Sequence, residues 1–363
     1  MIWWSARHPF CICLRQIKPW ATHREQGRWD GWRCRTRYHK RPHVIMNQFE
    51  LETVKIRDSA RTLPGWSSAD IVVEPAIPVL ASPSWRGVDG FPWRAVNKSN
   101  GETIFVKMMD PDAQLYIDVP CAFEAARRAS DLGIGPKVIL SDAQTGLLMM
   151  EDLNQGWRVG TLERMLEPAI ADAVIAARLT FQTGMPLAKR KGVFDEIEQF
   201  HAAAVSAEAQ LPADAEWLVE ELRFAAAVFR GLNIAAVPIH GDGNVSNILI
   251  SDAGEVRLID WDRATTADPL EDLGSFLIEA FDQEPEARDA FIRNTGKFDE
   301  AAFNRVRIYG IADDLRWGLI GALLAAKSAR NTLEFYKFAC WRFVRCRMAV
   351  REPRFGEMLR RIS

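Results

Sequence analysis

Apolar and polar positions along the chain change their rhythm once, near residue 151. Between Ile71 and Met150 the apolar residues come in short runs: Ile77 to Ala81, Trp93 to Asn97, Thr103 to Met108, Lys137 to Leu140 and Leu147 to Met150. Turn chemistry separates them at Ser82-Pro83, Gly87, Gly90, Pro92, Ser99-Asn100-Gly101 and Ser141 to Gly146, so each run predicts a short strand. One helix is predicted among them, Cys121 to Leu132. It is introduced by Val119-Pro120, where proline suits a first helical turn, and stopped by Gly133-Ile134-Gly135-Pro136. Beyond Glu151 helical spacing takes over, across about 161–183, 194–209, 214–231, 269–281, 286–294, 299–327 and 332–350. A single strand pair near 247–260 interrupts it, turning at Asp252-Ala253-Gly254. The pattern predicts an α+β chain of two lobes. Residues 47–151 form a small β-rich lobe and 152–363 a larger, mainly helical one, with a linker near Glu151 to Gln155.

Composition changes this picture only at the amino terminus. The 363 residues are 48% apolar and 26% charged, ordinary for a globular protein, with a formal charge of −2. Residues 1–45 carry ten Lys/Arg against Glu25 and Asp30, while the remainder carries 36 basic and 46 acidic residues. An acidic body argues against a nucleic-acid partner, which needs a basic face. The first 45 residues also hold five of the thirteen Trp, three of the six Cys and four of the six His, without helical or strand periodicity. They lack the apolar segment of a signal peptide. Cys11, Cys13 and Cys34 fit zinc spacings poorly. Residues 1–46 therefore read as a basic, disordered extension, or as sequence upstream of a natural start at Met46. The longest strongly apolar run, Trp317 to Ala326, is half of what a bilayer span needs and reads as a buried helix, so no membrane partner is expected. Cys121, Cys340 and Cys346 show no disulfide framework and suit reduced thiols in a cytoplasmic protein.

The chemistry is concentrated in His240-Gly241-Asp242-Gly243-Asn244-Val245-Ser246-Asn247, followed by Val256 to Ile259 and Asp260-Trp261-Asp262. A hairpin through Asp252 to Gly254 brings Asp242, Asn247 and Asp260 to one end of the strand pair. Phosphoryl transfer needs that grouping: one carboxylate for the proton of the attacking hydroxyl, and an Asn with a second carboxylate to hold Mg²⁺ on the phosphates. Hard oxygen ligands suit Mg²⁺ better than a softer metal.

With these residues the chain resembles the aminoglycoside phosphotransferase and choline/ethanolamine kinase superfamily, over roughly residues 64–350. The resemblance implies a two-lobed protein-kinase-like fold and use of ATP with Mg²⁺. It makes Asp242 the catalytic base, His240 the brace of the catalytic loop, and Asn247 and Asp260 the Mg²⁺ ligands. Asp268-Pro-Leu-Glu-Asp272-Leu-Gly is similar to the family's D-x-x-x-D-L segment, with Asp272 stabilising that loop. Lys107, at the end of Thr103-Ile-Phe-Val-Lys107, matches the phosphate-contacting lysine, and Glu124 in the next helix is its expected ion-pair partner. Met149 to Leu153 falls where the family's hinge binds adenine, which makes Glu151 and Leu153 nucleotide-site residues. The phosphate loop departs from the family's Gly-Gly-x-x-Asn; Gly87 and Gly90 are the glycines available to present N–H groups to phosphate.

Eleven residues separate Asp260 from Asp272, too few for a peptide-docking activation segment, so the expected partner is a small-molecule hydroxyl compound. The carboxyl-terminal half leans toward the choline kinases. Glu279 follows Asp272 by seven residues, Trp317-Gly-Leu-Ile320 resembles their W-x-L-W helix, and Glu334-Phe335-Tyr336 with Arg342 and Arg345 resembles the helix closing their substrate pocket. A cationic acceptor is held by aromatic faces and a carboxylate. Trp317, Phe335, Tyr336 and Trp341, with Glu279 or Asp313, are the candidates for such a cage. Core packing is the plain alternative for those aromatics. An amino-alcohol kinase is the first expectation. An aminoglycoside or other antibiotic phosphotransferase is the alternative, and a kinase-shaped module without turnover is a third.

Overall fold

A computed structural model describes residues 42–77, 89–330 and 333–362, with side chains from Phe49 onward. The chain divides after Met46, and the unit Asn47–Ser363 is compact. The expectations for residues 1–41 and for Gly87 lie outside the described residues, as does most of the strand expected over Ile77 to Ala81.

The small lobe is one antiparallel sheet backed by a helix. Helix α1 spans Pro42–Ala60, then come β1 (Ile71–Pro75), β2 (Gly90–Asn97) and β3 (Thr103–Met109), helix α2 (Val119–Asp131), β4 (Val138–Asp142) and β5 (Leu147–Glu151). The sheet order is β1-β2-β3-β5-β4. Alternation sets the faces: in β2 and β3 the buried side chains Trp93, Ala95, Ile104, Val106 and Met108 point toward α1, where they meet Ile56, Trp66 and Met149. Lys107 lies between these positions on β3, and its side chain takes the other face. Helix α2 is capped by Asp118, whose carboxylate accepts the Cys121 N–H at 3.1 Å, and Pro120 sits in its first turn. Two elements here go beyond what the apolar pattern predicts. Helix α1 begins at Pro42, ahead of Met46, with proline at the start of a helix where its missing N–H costs nothing. The first described strand is Ile71–Pro75, paired with β2, because Ile71 to Val73 supply the β-branched residues, and the Ala76 N–H adds a further bond to the Pro92 carbonyl at 3.0 Å.

The large lobe begins with β6 (Trp157–Val159), α3 (Leu162–Met165), α4 (Pro168–Gln182), α5 (Val193–Ser206) and α6 (Ala215–Arg230). Then follow β7 (Val237–Ile239), β8 (Ile248–Ser251), β9 (Val256–Leu258), β10 (Thr265–Ala267), α7 (Pro269–Ala280), α8 (Glu284–Thr295), α9 (Glu300–Lys327), α10 (Phe335–Val350) and α11 (Pro353–Arg360). The helix expected over 161–183 is broken into α3 and α4, because Pro168 cannot continue α3 but starts α4 well. Strands β6, β7 and β10 are three residues each, too short to show a period. Helix α9 is the axis of the lobe: almost every residue from Phe303 to Leu324 is buried, with α5, α7 and α10 packed around it. A helix apolar all round belongs in a core, yet α9 carries Asp313, Asp314 and Arg316 at its centre, all 2% exposed or less. Buried charges at that depth need partners, and those partners shape the site. The described cysteines, Cys121, Cys340 and Cys346, are free thiols. No described helix is long and apolar enough to cross a membrane.

Candidate active site

The loop from His240 to Asn247 joins β7 to β8, and glycine lets it fold. Gly241 has φ +76°, and a Cβ there would lie 2.6 Å from the Arg263 carbonyl; a Cβ on Gly243 would collide with the Ser275 carbonyl of α7. The loop is held through its backbone by buried charges. Asp272 accepts the Gly241 N–H at 3.0 Å and pairs with Arg178, which also donates to the Asp242 carbonyl at 2.6 Å. Arg316 donates to the Gly241 carbonyl at 2.8 Å while paired with Asp313 and Glu196. Each charge-assisted bond of this kind contributes roughly 1.5–3 kcal/mol. Neither arginine carries a signal in the sequence; a single arginine within a helix resembles any solvated one. His240 completes the brace. Its Nε2 lies 3.0 Å from the Ile259 carbonyl, and its Nδ1 lies 3.1 Å from the Asp242 carbonyl and 3.3 Å from the Asp242 backbone nitrogen. Burial, with Arg178 nearby, pushes the His240 pKa down to about 4.

This loop presents Asp242 by its side chain. Oδ1 accepts the Asn244 N–H at 2.8 Å and Oδ2 accepts from Asn247 Nδ2 at 3.1 Å. The Asn247 amide is thereby turned with its nitrogen toward Asp242, and no described hydrogen bond uses its Oδ1. Burial, helped by the charges of Asp260 and Asp313, pushes the Asp242 pKa up to about 7 against the lowering effect of the Asn244 N–H and of Arg316. The hairpin delivers the second carboxylate: β8 and β9 pair Ile248 with Leu258, and Ile259 N–H donates to the Asn247 carbonyl at 2.9 Å. Asp260 follows at once in a left-handed conformation (φ +63°) that a non-glycine residue adopts at a cost of roughly 1–2 kcal/mol.

Lys107 reaches this cluster from β3. It pairs with Asp260, with Asp262 at 2.5 Å and with Asp89 at 4.0 Å. Burial alone would lower its pKa, but the three carboxylates more than reverse that and hold the ammonium charged. Asp260 is burdened by burial yet falls below its usual range because of Lys107, whereas burial sends Asp262 well above. The carboxylate oxygens of Asp89, Asp260 and Asp262 lie within 4.8 Å of one another. Three carboxylates so grouped form an all-oxygen donor set that suits a hard divalent cation. Asp262 was legible in Asp260-Trp261-Asp262 as a second carboxylate two residues on; Asp89 had no such signal.

The expected Lys107–Glu124 pair does not form. Glu124 turns to Arg128, one helical turn along α2, while the lysine is drawn to three nearer carboxylates.

One cavity of about 400 Å³ is lined by Lys107, Asp242, Asn247 and Asp260, by Met150, Glu151 and Leu153 of the linker, and by Trp317, Phe338 and Arg342. Glu151 N–H donates to the Lys137 carbonyl at 2.8 Å, whereas the Leu153 N–H has no partner among the described residues. The aromatic cage differs from expectation. Trp317 lines the cavity and Phe338 stands beside it, ring centroids 6.1 Å apart. Trp341 does not: it lies on the outer face of α10 and is 59% exposed. Neither expected carboxylate is free for a cation. Glu279 pairs with Arg342 and Arg345, and Asp313 with Arg316, because carboxylates buried this deep are stable only when matched.

A profile of the phosphotransferase enzyme family matches residues 93–309, from β2 into α9. The chain belongs to the phosphotransferase enzyme family. No curated protein sequence matches it significantly. Among solved structures, this phosphotransferase is similar to a choline/ethanolamine kinase family protein from Mesorhizobium loti. The TM-score is 0.69 at 22% identity, covering 85% of this chain and 98% of that one. The choline kinase LicA from Streptococcus pneumoniae aligns with TM-score 0.67 at 17% identity, over 83% of this chain and 99% of that one. A macrolide 2'-phosphotransferase, MphH from Brachybacterium faecium, aligns with TM-score 0.51 at 14% identity, over 84% and 99%. At these identities the likeness is one of fold. The phosphotransferase has the two-lobed α+β kinase-like architecture that the sequence predicts, and it is an enzyme.

Proposed function

We propose that this enzyme moves the γ-phosphate of ATP onto the hydroxyl of a small molecule, an amino alcohol being the acceptor class put first. The observation that carries the reading is the convergence of Lys107, Asp242, Asn247 and Asp260 on one cavity that also borders the linker. Asp242, held near neutrality and oriented by Asn244 and Asn247, is the group to take the hydroxyl proton as the oxygen attacks phosphorus and ADP departs. Lys107 would leave its carboxylates for the nucleotide phosphates, and the Leu153 N–H would meet the adenine edge. A structure of LicA holds AMP, which supports an adenine nucleotide. Asn247 and Asp260 are the residues that would hold Mg²⁺, whose charge neutralises the phosphates. Trp317 and Phe338 give the acceptor a compact aromatic wall beside Asp242, which suits an amino alcohol. Purified protein with Mg·ATP and ethanolamine, choline or kanamycin would be followed by ADP release and by phosphorus NMR. A phosphomonoester forming in step with ADP is expected. ATP binding without turnover on any alcohol would instead indicate a module that binds nucleotide without transferring phosphate.

A further inference from the structure

The acceptor end of the cavity is bordered by a guanidinium whose hydrogen-bonding capacity is only half used. Arg342, on α10, is 6% exposed and lines the cavity together with Asp242, Trp317 and Phe338. Its bonds to Glu279 and Asp314 both leave from Nη1. No hydrogen bond among the described residues reaches Nη2, the donor nitrogen open to the cavity, whereas Nε is sealed from it and, like the Nε of Arg178, Arg263 and Arg316, has no partner. A guanidinium offers five N–H donors in a rigid fork matched to a carboxylate, so a buried one with idle donors beside a cavity is built to receive an oxyanion.

The surrounding charges point the same way. Glu279 and Asp314 are matched by two arginines: Arg345 reaches Glu279 at 2.9 Å and Asp314 at 3.1 Å, alongside the Arg342 contacts. Asp313 is consumed by Arg316. The acceptor end therefore holds no carboxylate to spare for an ammonium group except Asp242, which the transfer itself needs. Both aromatic walls already face a resident cation, Arg342 lying 5.2 Å from the Phe338 ring and Arg263 5.7 Å from that of Trp317. A bare quaternary ammonium finds little unsatisfied charge here, whereas an anion finds unused donors.

We infer that the acceptor alcohol carries a carboxylate, bound by Arg342, with its hydroxyl directed to Asp242: a small hydroxy acid or hydroxy amino acid. This rests on the phosphoryl transfer proposed above and departs from it only in the acceptor, which must carry a carboxylate.

The test is a ranking of acceptors at fixed Mg·ATP, read as ADP release with the phosphomonoester confirmed by mass. L-serine, L-homoserine and 4-hydroxybutyrate carry the carboxylate, ethanolamine and choline carry only the cation, and 1,4-butanediol carries neither. At least one carboxylate-bearing alcohol should exceed every other class by tenfold or more in kcat/KM. Preference for L-homoserine over 4-hydroxybutyrate would assign the amino acid rather than the plain acid. Arg342→Lys keeps the charge and removes the fork, and should raise KM for the best hydroxy acid tenfold or more while kcat changes less than threefold. Should that variant fail to fold, the wild-type ranking alone decides. Equal or better turnover of ethanolamine, choline or the diol overturns the inference and leaves phosphoryl transfer standing. Silence with every alcohol overturns phosphoryl transfer, and the inference with it.

Discussion

The catalytic loop and the acceptor wall lie in one cavity and are built in opposite ways. The loop is a contiguous stretch, His240 to Asn247, whose shape follows from two glycines and whose backbone is tied to Arg178, Arg316 and Asp272. The wall is assembled from single residues of α7, α9 and α10, and its character depends on which charges happen to pair. The difference teaches where function is fixed and where it is free to vary. A reaction can be written into eight consecutive residues, while the acceptor is set by pairings such as Arg342 with Glu279 that no local pattern specifies.

The sharpest way to break that contrast is at the loop. Gly243→Ala drives a methyl into the Ser275 carbonyl of α7. It should lower unfolding stability by about 1–3 kcal/mol and kcat by about 10²-fold, since displacement of a catalytic group by ~1 Å costs that much. Urea unfolding and steady-state rates check both; unchanged kinetics would show that the loop needs no such fixing.

The brace at His240 makes the second test. Its folded pKa of about 4 lies below the ordinary 6.5, so the native state resists a proton that the unfolded chain accepts. The stability this contributes is fully present above pH 6.5 and is lost as pH falls toward 4. The size is about 3 kcal/mol at roughly 1.4 kcal/mol per unit. The unfolding free energy of wild type relative to His240→Asn should fall by up to that amount between pH 7 and pH 4. A flat difference would place the proton wrongly.

Substitutions at the wall should be milder. Trp317→Ala should raise KM for the acceptor about 2- to 30-fold with little change in kcat, the effect of removing one aromatic contact of roughly 0.5–2 kcal/mol. A large fall in kcat would move Trp317 from binding to chemistry. Smallest of all, Glu124→Gln should change kcat/KM less than about threefold, because Glu124 contacts Arg128 and not Lys107. A hundredfold loss would show that the Lys107–Glu124 pair forms once nucleotide is bound.

The same contrast explains what could be read in the sequence. The two lobes, the sheet from Trp93 to Met150, the large-lobe helices and the hairpin at Asp252 to Gly254 were legible because each depends on local periodicity or turn chemistry. So was the grouping of Asp242, Asn247 and Asp260, which needs only that hairpin. Asp89 and the clamps Arg178 and Arg316 were not, since their meaning comes from partners distant in the chain. Trp341 misled for a related reason. It lies three residues from Phe338, about 60° round α10 on the side away from Arg342 at 3.6 residues per turn, and that offset leaves it outside the cavity. Glu279 and Asp313 resemble free carboxylates in the sequence, because packing and not local pattern decides which arginines pair with them.

The account stands or falls on Asp242 as the group that takes the acceptor's proton. The decisive measurement is single-turnover transfer from ATP labelled in the γ-phosphate to the best acceptor, comparing wild type with Asp242→Asn at pH 7.5. The variant should bind ATP normally and transfer phosphate about 10²- to 10⁴-fold more slowly. Transfer at most of the wild-type rate would contradict the assignment.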